Sequence, residues 1–267
     1  MIFRTYLGRA LLPLISLSTA LPAQADLLRD IHRAGKIRVA IAETIPPFIY
    51  EDGNKQLAGS DPETARLLAQ DLGVKLEIVR TTNSERLPAL HKHQADLVIS
   101  TLSITPERER EIAFSVPYAR ISLKIAAPFP NKLSSLLDLD GKTVGVLATS
   151  SNLAHLRRNA PGVKIIEYPE HDKLKTGYLA GEFQIISAPQ SVIDDINKLK
   201  PRHPLVVQFT QTEFDVAIGI PAGEKGLRNW VNHWVSENLG NGRLNEIYRK
   251  YHGHNLPSEL LPSTGRR

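Results

Sequence analysis

Residues 96–111 read DLVISTLSITPERERE. Asp96-Leu97-Val98-Ile99 is a short apolar run of the kind that lies buried inside a sheet. The chain then turns polar at once: Ser100, Thr101, Ser103 and Thr105 lead to Pro106, and Arg108 follows two residues later. In open parallel sheets, ligands bind beyond the carboxyl ends of the strands. Hydroxyls and free backbone N–H groups at such an end suit a small polar ligand, and a guanidinium offers two parallel donors that match a carboxylate. On the residues alone, two accounts stand side by side. Either Arg108 clamps a carboxylate with Ser100, Thr101 and Ser103 around it, or Ser-Ile-Thr-Pro makes a turn and caps a helix, leaving Arg108 solvated.

The flanking pattern supplies the sheet. Ile37 to Ile41 reads as a strand and Pro62 to Leu72 as a helix, capped by Ser60 or Asp61, with Pro62 at its first position and Gly73 at its end. Val74 to Val79 is a strand, Ser84 to His91 a short helix and Asp96 to Ile99 a strand. This βαβαβ rhythm implies a parallel sheet faced by helices. Phe114 to Ala127 is a long extended stretch without a helix. After Asp140-Gly141 the alternation restarts: strand Thr143 to Leu147, helix Ser150 to Asn159, strand Val163 to Tyr168, helix Asp172 to Leu179, strand Phe183 to Ile186 and helix Val192 to Leu199. A second extended pair, Leu205 to Phe209 and Phe214 to Ile220, precedes helices Leu227 to Asn238 and Leu244 to Tyr251. Two βα blocks separated by two extended crossings imply two lobes joined by two strands, with the last helices packing back on the first lobe.

Composition narrows the classes. The first 25 residues carry Arg4 and Arg9, an apolar run from Ala10 to Leu21, and Ala23-Gln24-Ala25, which are the three parts of a cleavable secretory signal. The apolar run is shorter than the roughly 20 residues that span a bilayer. Cleavage after Ala25 leaves 242 of the 267 residues and, with two arginines lost, lowers the formal charge from +5 to +3. Zero cysteines exclude a lipid anchor, disulfides and thiolate metal sites. The expectation is a soluble, unlipidated periplasmic protein. Charges are interspersed, without the basic stripe and stacking aromatics of a nucleic-acid binder; the mild positive excess favours small anionic ligands. A chain of this length lies near the size at which one core gives way to two.

Order and spacing of several further motifs carry a resemblance over essentially the whole mature chain. These are Ile45-Pro46-Pro47-Phe48, Gly59-Ser60-Asp61, Leu87-Pro88-Ala89-Leu90, Ala95 to Ser100, Ser103 to Arg108, Phe114-Ser115-Val116-Pro117-Tyr118, Leu139 to Val146 and Gly219-Ile220-Pro221. Together they resemble the bacterial extracellular solute-binding proteins of family 3, the periplasmic polar amino acid-binding type. The resemblance implies an α/β, two-lobed periplasmic-binding-protein fold (type II). Each lobe would be a mostly parallel sheet flanked by helices, joined by two hinge strands and closing on a ligand like a clamp. After a signal peptide at 1–25, the first lobe would comprise 26–120 plus 213–256, the second 121–212, and 257–267 a C-terminal tail. It further implies that Arg108 grips the ligand α-carboxylate, that Thr101 and Ser103 bind the same ligand, and that the helix N-terminus at Ser150-Ser151 adds favourable dipole and N–H groups.

Three positions depart from the family pattern. Pro189 stands where an Asp usually pairs with the ligand α-amino group, and Ile45 and Asn83 stand where two aromatics usually sandwich the ligand. An ammonium drawn into a closed cleft without an anionic partner is costly. The ligand is therefore expected to keep carboxylate recognition and to lack amino-group recognition, unless Glu43 supplies the missing charge. Arg86 is either a second positive charge in the cleft or, the weightier expectation, a solvated surface residue. His91-x-His93 and His252-x-His254 read as solvated loops rather than metal ligands, and Trp230 and Trp234 as core residues sharing one helix face.

The resulting expectation is a monomeric receptor that hands a small-molecule carboxylate ligand to the membrane permease of an ABC importer, with no chemistry, cofactor, metal or nucleic acid. The alternatives are a lyase similar to periplasmic cyclohexadienyl or arogenate dehydratases, and an orphan sensory binding module. The lyase needs a carboxyl general acid in the cleft; Glu43, Glu170 and Glu182 are present, in no motif that points to that role.

Overall fold

A computed structural model describes residues 26–42 and 45–261. The expected signal peptide, Glu43 and the last six residues of the expected tail lie outside the described residues. In chain order the elements are α1 (Leu27–Ala34), β1 (Lys36–Ala42), β2 (Tyr50–Glu51), β3 (Leu57–Ala58), α2 (Ser60–Leu72), β4 (Lys75–Thr81), α3 (Arg86–His91), β5 (Leu97–Val98), α4 (Pro106–Glu109) and β6 (Ala113–Phe114). They continue as β7 (Ala119–Pro128), β8 (Thr143–Leu147), α5 (Ser151–Asn159), β9 (Lys164–Tyr168), α6 (His171–Leu179), β10 (Ile185–Pro189), α7 (Gln190–Lys198), β11 (Leu205–Val216), β12 (Gly219–Ile220), α8 (Lys225–Gly240) and α9 (Arg243–His252).

These elements build two five-stranded sheets, ordered β4-β1-β5-β12-β6 and β11-β7-β10-β8-β9. In the first, β1 runs parallel to β4 and β5, and β12 pairs antiparallel with β5 and β6. In the second, β8 runs parallel to β9 and β10, and β7 pairs antiparallel with β10 and β11. Each lobe is thus a parallel triplet extended by two antiparallel strands. The strands β7 and β11 are the extended crossings; they pair from Leu205↔Pro128 to Val216↔Ala119, with irregularities at Val207/Phe209 and Thr210/Thr212.

Each lobe has its own apolar interior. Ile41, Leu68, Leu97, Ile99, Leu123 and Val231 belong to the main first-lobe cluster, which α8 and α9 help to close. Ile186, Val192 and Ile196 lie on one face of the second sheet, and Ile125, Val144 and Leu156 on the other. Trp234 is buried and its indole N–H donates to Asp71 at 2.7 Å, whereas Trp230 is only partly buried against the cluster.

Several local expectations shift. Helix α2 begins at Ser60, so neither Ser60 nor Asp61 caps it; Gly59 is the N-cap, with φ 118°. The strand expected over Phe183 to Ile186 lies at β10, because the Phe183 ring turns into the core and packs over Gly145, where a Cβ would meet it at 2.3 Å. The extended pair after Leu205 divides elsewhere: Leu205–Val216 is one continuous strand, β11, whose polar centre reflects its position at the sheet edge, and Gly219–Ile220 is the separate strand β12.

Candidate functional site

Beyond β5, the stretch 96–111 is organised by a turn and a helix cap. Thr105 caps α4, its hydroxyl accepting from the Arg108 N–H at 3.4 Å, and Pro106 occupies the first turn. The turn-and-cap account therefore holds for the backbone, but Arg108 is not solvated. Its side chain is folded inward, leaving the residue 8% exposed. Nη1 donates to the Ser103 carbonyl at 2.9 Å within the first lobe, and Nη2 donates to the Thr149 carbonyl at 3.0 Å in the second. Burial brings its pKa down to about 10, against the opposing pull of Glu107 and Glu111, so it stays cationic at neutral pH.

The neighbouring hydroxyls divide by task. The Ser100 hydroxyl accepts from the Ala42 N–H at 2.8 Å and so ties β5 to β1, and the residue lines a small interlobe cavity with Arg86 and His171. Thr101 has φ 47°, rare for a β-branched residue, and sends both its N–H (2.5 Å) and its hydroxyl (2.8 Å) to Asp61. Asp61 also accepts from the Tyr118 hydroxyl at 2.8 Å, and burial pushes its carboxyl up to about 6 in spite of these donors. Ser103 reaches across the gap to the Ser151 hydroxyl at 3.1 Å. Ser150 is the N-cap of α5 and accepts from the Leu153 N–H at 3.2 Å. Asn83 bridges the lobes, donating to the Ala148 carbonyl at 3.0 Å and the Thr149 hydroxyl at 2.9 Å.

Between the lobes lies a cavity of about 30 Å³. Ile45, Asn83, Arg86, Thr101 and Ser103 line it from the first lobe; Ser150, Ser151, His171 and Pro189 line it from the second. Of the residues singled out in the sequence, Arg108 and Ser100 do not line this space, though Arg108 borders an adjoining cavity with Ser150 and Ser151. A larger cavity of about 650 Å³ opens beside it, shared through Ala42, Glu170 and His171 with the small space beneath.

His171 goes unread in the sequence, and Arg86 reads as a cleft charge only as the lesser of two alternatives. Arg86, expected mainly at the surface, is 4% exposed and lines two interlobe cavities. Its Nη1 donates to the Ser100 carbonyl at 2.6 Å, and burial, then the charge of Arg108, holds its pKa well below the usual guanidinium range. His171 starts α6 and faces the same cavities, with both ring nitrogens buried and unpartnered among the described residues. Burial, aided by Lys175, lowers its pKa to about 4. Helical spacing held the signal for both: Arg86 shares a face with buried Ala89 and Leu90, and His171 with buried Leu174 and Tyr178.

The two histidine pairs are not equivalent. His91, His93 and His254 are exposed, whereas the His252 ring stacks on Tyr248 at 3.7 Å and contacts the Ser60 hydroxyl at 3.1 Å, correcting the solvated expectation for that histidine. Among the acids, Glu182 accepts from the Tyr168 hydroxyl at 2.5 Å, and Glu170 borders the large cavity.

The geometry agrees with relatives of known role. The L-cystine-binding protein TcyJ of Escherichia coli strain K12 is 28% identical over 236 residues, 86% of this chain and 88% of that protein. The L-arginine-binding protein of Pseudomonas aeruginosa is 25% identical over 228 residues, 80% of this chain and 87% of that protein. Among solved structures, the ancestral amino acid-binding protein AncCDT-1, a precursor of cyclohexadienyl dehydratase, superposes with a TM-score of 0.75 at 29% identity, covering 84% of this chain and 99% of its own. The solute receptor for L-cysteine of Neisseria gonorrhoeae gives 0.76 at 25% identity, with 84% and 92% covered. With the family model matching residues 37–254, the chain belongs to the bacterial extracellular solute-binding proteins, family 3.

Proposed function

We propose that this chain is a periplasmic receptor that captures a small carboxylate-bearing ligand, an amino acid or amino acid-like molecule, between its lobes and delivers it to the membrane permease of an ABC importer. It is a solute-binding protein and not an enzyme, as its named relatives are. The observation that carries the ligand class is the Arg108 guanidinium, buried at the seam with one nitrogen donating to each lobe. A carboxylate offers two coplanar acceptors to such a fork and takes the place of the two carbonyls. Thr101, its donors committed to Asp61, borders the same seam, and Ser103 and the α5 N-terminus at Ser150 and Ser151 border it too and supply further donors.

A space of about 30 Å³ holds a few waters, far less than the roughly 300–1,000 Å³ of small-molecule pockets. Filling this space with a ligand therefore needs the lobes to part. We place the hinge within β7 and β11, close to the irregularity at Thr210/Thr212 and near the expected division of 26–120 with 213–256 from 121–212, with Ile121 and Leu123 packing on the first-lobe side. Pro189 borders the cleft and offers no charge, and the oxygens of Asp61 are engaged by Thr101 and Tyr118. The ligand is accordingly recognised through its carboxylate more than through an α-amino group.

A thermal-shift screen of carboxylic acids, amino acids and deaminated amino acids tests this. A true ligand at 100 times its Kd adds about 2.7 kcal/mol, a rise of several degrees in Tm. Arg108→Ala removes charge-assisted bonds of about 1.5–3 kcal/mol each and should abolish the shift. A ligand shift that survives in Arg108→Ala would refute the carboxylate clamp.

A further inference from the structure

The cleft holds more positive charge than one carboxylate clamp needs. Arg86 lines it and Arg108 borders the adjoining cavity, and the oxygens of the nearby buried acid Asp61 are occupied by three donors. Arg86 makes one hydrogen bond among the described residues, to the Ser100 carbonyl, and it borders two interlobe cavities. Facing it from the other lobe is His171, a half-buried residue whose two ring nitrogens are buried and unengaged among the described residues. Unpaired buried nitrogens are rare and costly, and a cation held this deep is ordinarily matched by an anion. Either imidazole tautomer can present one N–H, and since neither nitrogen has a fixed partner the ring is free to adopt the one required.

We propose that Arg86 and His171 form a second anion subsite in the cleft, so that the captured ligand is a small acid carrying two anionic groups, one held at Arg108 and the other between Arg86 and His171. This rests on the receptor reading above and narrows its substrate class. Closing the lobes brings the two halves of the subsite together, because Arg86 belongs to α3 and His171 to α6. The competing occupant is a cationic side chain drawn to the acids that border the large cavity. Four of those acids are already engaged, Glu51 by Arg80, Glu85 by Thr82, Asp172 by Lys175 and Asp195 by Lys198; the fifth, Glu170, borders both the large cavity and the small one that Arg86 and His171 line.

Isothermal titration of the mature chain near neutral pH with succinate, aspartate and glutamate, against butyrate, alanine and arginine, tests the subsite. The doubly acidic compounds should bind at least ~10-fold tighter than the singly acidic ones, since a buried donor left unmatched penalises the shorter acid. Arg86→Leu and His171→Phe should each bring that ratio close to one. A thermal melt of each variant checks folding; if one variant fails to fold, the other carries the comparison. The proposal is overturned, with the receptor reading intact, if single and double acids bind alike, if both variants keep the preference, or if arginine binds best. If no acid of either kind binds, the carboxylate-receptor reading fails and takes the second subsite with it.

Discussion

The guanidinium of Arg108 shows how little of a side chain's role is local. Its neighbours in sequence define the turn and the cap, and both were legible in Ser-Ile-Thr-Pro; its direction is set by carbonyls 5 and 41 residues away, at Ser103 and Thr149. Histidines carry a comparable message in their titration. Burial, with His254 adding, lowers the pKa of His252 from its usual 6.5 to about 4 while the ring lies stacked on Tyr248. A depressed value means that the fold favours the neutral form, so this stabilisation is complete above pH 6.5 and is lost as the pH falls towards 4. The full shift corresponds to about 3 kcal/mol, and partial exposure reduces it to roughly 1–2 kcal/mol. Asp61 has the opposite sign: its carboxyl, raised to about 6, stabilises below its usual 3.8 and ceases to as the pH rises through 6. In urea titrations, His252→Phe should therefore lose less stability than wild type between pH 6.5 and 4, by that 1–2 kcal/mol; an unchanged slope would show that the ring titrates freely.

Elements were most legible where one physical cause acted alone. The strand Thr143–Leu147 coincides with its apolar run, and α9 and α5 fall within a residue of their expected bounds at both ends. Boundaries moved where tertiary packing overrode the pattern, as with Phe183 turning over Gly145. Short pieces such as α1 and the β2–β3 hairpin went unread, because eight or fewer residues give too little periodicity. The start of α2 is the most constrained of these boundaries. Gly59 has φ 118°, and a Cβ there would lie 2.2 Å from the Phe48 carbonyl oxygen, which itself accepts from the Asp61 N–H at 3.0 Å. Gly59→Ala strains the backbone and pushes that carbonyl away from Asp61, the acid that holds Thr101. We expect a loss of about 2–4 kcal/mol in chemical denaturation. A loss below ~1 kcal/mol would mean that the turn readily rearranges.

At the scale of the whole molecule, the two lobes touch through polar groups while their apolar cores stay apart. The cross-lobe contacts are Asn83 to Ala148 and Thr149, Arg108 to Thr149, Ser103 to Ser151, and the Arg158–Glu107 ion pair. None of the buried apolar clusters spans the gap; even along β7 the change of allegiance is sharp, Leu123 belonging to the first lobe's core and Ile125 to the second's. Polar contacts exchange for water at a net difference of about 0.5–1.5 kcal/mol each, whereas a split apolar core would not. Closure is thus a balance of a few kcal/mol, which a ligand spanning both lobes can tip. Asn83→Ala should weaken the closed form by about 1–2 kcal/mol, roughly 5- to 30-fold in the ratio of open to closed molecules. Arg158→Glu, which sets two carboxylates face to face at Glu107, should act in the same direction, though salt screens it. Small-angle scattering reads both as a larger radius of gyration, reversed by saturating ligand. If the radius in both variants matches wild type, the polar seam does not hold the lobes together, and β7 and β11 alone set their angle.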